Sequence, residues 1–400
     1  VSTPVVRADH PVPPQVLRLQ RGAAVAAAVG ILALLLGLVL DPTQFFRSYL
    51  LAYLFWIGIG VGCLCITMIH HLSGGAWGVV IRRILEAGAR TLRFAALFFL
   101  PLAFGLPRVY EWAGPEAAHD EALRHKALYL NIPFFLGRAA FYFLVWGALS
   151  YYLNKWSLEM DRGPDPRLSQ RLEALSGGGL VLMGLTITFS AVDWAMSLDP
   201  HWFSTIYGLL FMIGQALSAL AMVIVLVSLI GNEPPLLGVV RPSMVHDLGK
   251  LLLAFVMVWA YLSISQFLIV WQGNLPEEIP WYIRRLGAGW QWLALVLVVF
   301  HFALPFLLLL SRDLKRNART LGMVAAGVLL VRMVDLFWLV GPDMKGHGHG
   351  LSVHWMDLAA AVALGGAWLW TFAANLKDRP LLPLGEPELR EMLEAAGAAH

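Results

Sequence analysis

Hydrophobic positions along this chain gather into ten long runs, at about 22–40, 46–70, 91–107, 132–153, 178–198, 204–231, 247–271, 288–311, 319–341 and 354–375. Most match or exceed the roughly 20 apolar residues that a helix needs to cross a bilayer. Polar and charged residues collect between the runs, and nowhere does a strand-like alternation with hairpin turns appear. The pattern predicts an all-α polytopic membrane protein of ten transmembrane helices. Residues 1–21 form an N-terminal segment, 22–375 the membrane domain and 376–400 a C-terminal tail. The first run is longer than a signal-peptide core and lacks a convincing cleavage site, so a retained helix is expected.

A faint repeat divides the runs. Ser48–Gly58 aligns with Ser204–Gly214, keeping Leu-Phe-x-Ile-Gly in register, and three helices later in each half an Asp stands seven residues before a Pro: Asp193 before Pro200, Asp335 before Pro342. Helices 2–5 and 6–9 are therefore expected as two parallel four-helix bundles, with helices 1 and 10 peripheral, an arrangement of repeats known in membrane proteins.

Charges inside apolar runs carry the functional signal, because a charge at the bilayer centre costs about 2.5–3.5 kcal/mol or more on insertion scales and so turns inward to a partner. Arg332 and Asp335 lie three apart on one helical face. With Asp193, Arg138, and His354 and Asp357 at the start of helix ten, they are expected to form one buried polar cluster in the outer half of the membrane. Such a set could hold a quinol headgroup, relay protons, or simply fix helix packing through ion pairs. His301, four residues before Pro305, is placed to link this cluster to a second set at the opposite side: His70, His71, His246, Asp247 and Lys250. The loop 272–282 holds two prolines, Glu277, Glu278 and Trp281, and is followed by Arg284 and Arg285, a composition suited to docking another subunit.

Composition sharpens the class. Hydrophobic residues make up 58% and charged residues 14%, against roughly 25% charged in soluble domains. The side holding both termini carries twenty of the 29 Lys and Arg residues, which the positive-inside rule assigns to the cytoplasm. No basic patch interleaved with aromatics points to nucleic acid. Cys63 and Cys65, two apart on a helix, fit neither a c-haem site nor an iron–sulfur cluster, and their spacing disfavours a disulfide. His301, His70 and His354 are expected at different depths, which disfavours a haem pair; His347 and His349 in a glycine-rich loop are a weak metal signal. No metal, haem or iron–sulfur centre is expected in the chain itself.

Four stretches then carry a resemblance: HHLSGGAWGVVIRR at 70–83, VDWAMSLDPHWFSTIYGLLF at 192–211, QFLIVWQGNLPEEIPWY at 266–282 and FALPFLLLLSRDLKRN at 302–317. The chain resembles the F subunit of bacterial alternative complex III, of the NrfD/PsrC-like group. The resemblance implies a non-autonomous subunit of a respiratory or photosynthetic quinol:cytochrome c (or other acceptor) oxidoreductase, placed in the bacterial cytoplasmic (inner) membrane. Its implied partners are a sister NrfD-like membrane subunit, a periplasmic iron–sulfur subunit and c-type haem subunits. Quinol, menaquinol among the candidates, is implied mainly at the sister subunit. A stand-alone proton-coupled secondary transporter is the alternative from another class.

Overall fold

Proline and short polar side chains start several of the helices. Pro14, Pro42, Pro166 and Pro242 occupy the first helical position, where a missing N–H costs nothing. Asp41, Asn131 and Asp165 accept the backbone N–H of Gln44, Phe134 and Arg167. The computed structural model describes residues 12–163, 165–344, 350–386 and 389. Among them ten helical spans are long and apolar enough to cross a membrane, and no strand occurs. They are α1 (Pro14–Leu40), α2 (Pro42–Ser73), α3 (Ala76–Val109), α4 (Ile132–Met160), α5 (Pro166–Leu198), α6 (Tyr207–Ile230), α7 (Pro242–Gly273), α8 (Trp290–Leu310), α9 (Ala318–Met344) and α10 (Trp355–Lys377).

Two spans make the centre. The apolar window of α2 is 94% buried and that of α6 is 78% buried, whereas α1 and α8 bury only 28% and 22% and turn most of their surface outward. Around this pair, α3, α5 and α10 pack on α2, while α5, α7 and α9 pack on α6. Gly62 of α2 lies against the backbone carbonyl of Gln215 on α6, with no room for a Cβ. Lipid tails offer no hydrophobic drive for helix association, so close backbone approach at small residues supplies the packing. The same device joins α1 to α10, where Gly30 faces the backbone of Ala363 and Gly366 that of Ala27.

The structure corrects the sequence-based boundaries in one important place. Residues 71–93 are expected as a connection, yet Ala76–Ala89 is helical and continues through a 3₁₀ turn at Arg90–Phe94 into the rest of α3. Arg82, Arg83 and Glu86 are buried in it. Their charges lower the apparent hydrophobicity, but they neutralise one another inside the fold. In α8 the seven residues Leu297–Ala303 form a π-helical turn just before Pro305, which has no N–H to return to the His301 carbonyl.

Both described chain ends lie on one face, where Lys377 Nζ donates to Gln20 Oε1 at 2.8 Å. The tail expected at 376–400 does not simply trail from α10. Leu381 and Leu382 are buried, and Gly385 donates its N–H to Asp161 at the end of α4.

Candidate functional site

Buried carboxylates in α5 and α9 each hold one guanidinium and one aromatic donor. Asp193 is fully buried near the end of α5. Arg138 of α4 grips it with both arms, Nε to Oδ2 at 2.9 Å and Nη2 to Oδ1 at 2.8 Å, and Tyr142 donates its hydroxyl to Oδ2 at 2.7 Å. The guanidinium lies 3.8 Å from the ring centre of Tyr129 and donates Nη1–H to that residue's carbonyl at 2.9 Å. Two-armed pairing of this kind fixes orientation as well as charge.

In the other half the arginine comes from the same helix. Arg332 bonds Asp335 one turn away, and Trp259 of α7 donates Nε1–H to Asp335 Oδ2 at 3.1 Å. Gly214 of α6 gives the Arg332 guanidinium its space. His301, in the π-helical turn, stands edge-on to Trp259 with ring centres 4.3 Å apart, and neither of its buried nitrogens has a hydrogen-bond partner. His301 thus touches the Asp335 group through Trp259, but no described hydrogen bond joins it to His70, His71 or Asp247.

The single outer cluster expected from the sequence is instead three groups without a shared hydrogen bond. Asp193 turns towards α4 and Asp335 towards α7, while α6 packs against both of their helices. His354 and Asp357 form the third group: His354 is the N-cap of α10, its N–H donates to Asp357 Oδ2 at 2.8 Å, and Asp357 Oδ1 accepts from Ser48 and Gln44 of α2. That capping box docks α10 on α2, a structural task.

On the face bearing the chain ends, His70 lies edge-on to Trp77 and contacts the Gly75 carbonyl at 3.2 Å. Asp247 and Lys250 pair at 2.9 Å on the exposed surface. Sequence reasoning missed the strongest network on this face. Glu86 accepts from Arg82 at 3.3 Å, from Arg83 at 2.6 Å and from Ser157, while Arg83 also bonds Asp161 and Arg82 bonds Glu386. Burial pushes the Asp161 carboxyl above its usual range, and the neighbouring Arg83 opposes that rise.

At the opposite face the expected docking residues divide. Glu277 is exposed and Glu278 half-buried, but Trp281 is buried, stacked on Trp202 with ring centres 4.7 Å apart. Arg284 and Arg285 do not offer charges to a partner alongside the glutamates. Arg284 bonds Asp199, and Arg285 bonds Asp343 at 2.6 Å while lying 3.4 Å over the Trp281 ring. These contacts tie the ends of α5 and α9 to the short helix Ile279–Arg285. Cys63 and Cys65 are buried free thiols. Among the described residues no group of His, Cys, Asp and Glu could hold a metal; His347 and His349 lie outside them.

A scan against protein-family models and a search of curated proteins found no match to this chain.

Proposed function

We propose that this integral membrane protein is a subunit of a quinol-oxidising complex of the alternative complex III kind, in which its buried carboxylates carry protons and partner subunits carry the redox centres. The observation that supports it best is the matched pair of sites: Asp193 and Asp335, at corresponding sequence positions, are both buried and both held by one arginine and one ring donor. Ionisable side chains at membrane depth are costly and rare, and they line proton relays and ion pathways in pumps and transporters. The sequence resemblance adds the quinol-linked context, with a sister membrane subunit, an iron–sulfur subunit and c-haem subunits as partners in a bacterial cytoplasmic membrane, both termini inside.

Association tests this reading. Affinity purification of the full chain from its native membrane is expected to bring haem absorbance and an iron–sulfur subunit with it. The chain stripped of those partners is expected to show neither haem absorbance nor quinol:acceptor activity. Recovery as a single polypeptide that moves a solute with protons would favour the transporter and reject the subunit assignment.

The loop before Trp281 gives a second expectation. With Glu277 exposed and the prolines limiting the freedom lost on binding, a membrane-impermeant maleimide should label Glu277→Cys in the isolated chain and fail to label it in the complex. Equal labelling in both would remove the loop as a docking surface.

A further inference from the structure

Beside Asp335 the structure holds a cleft that neither the ion pairs nor the helix packing explains. It lies between α7, the short helix Ile279–Arg285, α8 and α9, with a volume of about 380 Å³, within the range of sites that take small organic ligands. Trp259, Trp281, Tyr282 and Trp338 line it with flat rings, and Asp335 and Gln266 reach it from α9 and α7. Its rim includes Ile264, Phe267, Leu286 and Val298, all exposed apolar side chains on the outside of the helical assembly. The mouth therefore opens where lipid tails would lie.

The decisive feature is Gln266. It is 1% exposed, yet neither its amide oxygen nor its amide nitrogen has a hydrogen-bond partner. The indole N–H groups of Trp281 and Trp338, also on the wall, are unpartnered too. Buried polar groups are nearly always paired, because an unmet donor or acceptor carries its full desolvation cost. An amide and two indole donors left open in one otherwise apolar cleft call for a ligand with oxygens to accept and, when reduced, hydroxyls to donate. An acyl chain could fill the volume but would satisfy none of these groups.

We propose that this cleft binds the ring of a membrane-soluble quinone or quinol, one ring oxygen at the Gln266 amide and the apolar tail leaving past Ile264 and Phe267 into the bilayer. Trp281 and Trp338 supply ring faces and donors, and the cleft ends at Asp335, which Trp259 and Arg332 hold. The assignment rests on the quinol-linked reading of the chain and deepens it, giving this subunit a ring site of its own apart from any on a sister subunit.

The test uses the protein as purified, in its complex, in nanodiscs of phosphatidylcholine. A photoreactive azido-benzoquinone with a short alkyl tail is cross-linked, and the labelled peptides are mapped by mass spectrometry. Label is expected in the peptides holding Gln266, Trp281 or Trp338, and is expected to disappear with excess decylubiquinone or a menaquinone analogue but not with excess phospholipid. Gln266→Leu, which keeps the bulk and removes the amide, should weaken labelling affinity about fivefold or more. Ala294→Phe, which fills the cleft from α8, should abolish labelling in a chain that still elutes as a single species. Equal labelling of both variants and wild type, competition by phospholipid alone, or label confined to other helices would each overturn the proposal. Redox partners that copurify with a chain unlabelled at this cleft would leave the subunit assignment standing and reject the ring site. Label here in a chain that purifies alone would do the reverse.

Discussion

Asp335→Leu is expected to cost most of the folded protein recovered from the membrane, and Arg332→Met in the same chain is expected to restore much of it. The single change removes the carboxylate that Arg332 bonds, leaving a guanidinium that is 3% exposed beside Gly214 of α6. Breaking a buried pair on one side costs about 3–5 kcal/mol, a large share of the roughly 5–15 kcal/mol that holds a typical protein folded. Replacing both members by apolar groups removes the stranded charge. Asp335→Asn should fall between, since its side-chain oxygen still accepts from Arg332 and from Trp259 Nε1–H. Yield of monodisperse protein and its unfolding temperature in detergent would check the order. A double variant no better than Asp335→Leu would show that the site depends on the pair itself.

The second large effect belongs to Glu86. It is 1% exposed and accepts from Arg82, Arg83 and Ser157, with Arg379 at 3.8 Å. Arg83 continues to Asp161, Arg82 to Glu386, and Arg379 to Asn154, so this one carboxylate joins α3, the end of α4 and the segment after α10. Glu86→Ala leaves several guanidinium groups short of negative charge at once. A loss of about 3–5 kcal/mol is expected from the same one-sided breakage. The first part of the fold to loosen should be the segment after Lys377, which these arginines pin. Limited proteolysis should then cut that segment at least about tenfold faster than in wild type, since 1.4 kcal/mol is already tenfold in an opening equilibrium. An unchanged cutting rate would mean that Leu381 and Leu382 hold the segment without the network.

What could be read in the sequence follows from how far each signal reaches along the chain. Ten spans were legible because apolar runs of membrane length are local and long. The Arg332–Asp335 pair was legible because a three-residue spacing puts both on one helical face. Arg138 and Asp193, separated by 55 positions, were each recognisable as buried charges, but nothing local showed that they bond one another. Tyr142 and Trp259, the ring donors, were hidden because aromatic residues in membrane helices more commonly mark the interface or fill space. The start of α3 looks like a connection in the sequence because charges that pair one turn apart still count against hydrophobicity. At the loop 272–282 the nearest charges misled: Arg284 and Arg285 bond Asp199 and Asp343, brought near by the fold, rather than the glutamates just before them.

The central claim, that protons pass by way of Asp193 and Asp335, is tested most directly by proton release per quinol oxidised. The whole complex would be reconstituted in vesicles and compared with its Asp193→Asn and Asp335→Asn forms. Asparagine keeps the size and one acceptor for the arginine at each site but removes the group that exchanges a proton. The account predicts that both variants assemble with their redox partners and show slower turnover or fewer protons released per quinol. Wild-type turnover and wild-type proton release in both variants would contradict it.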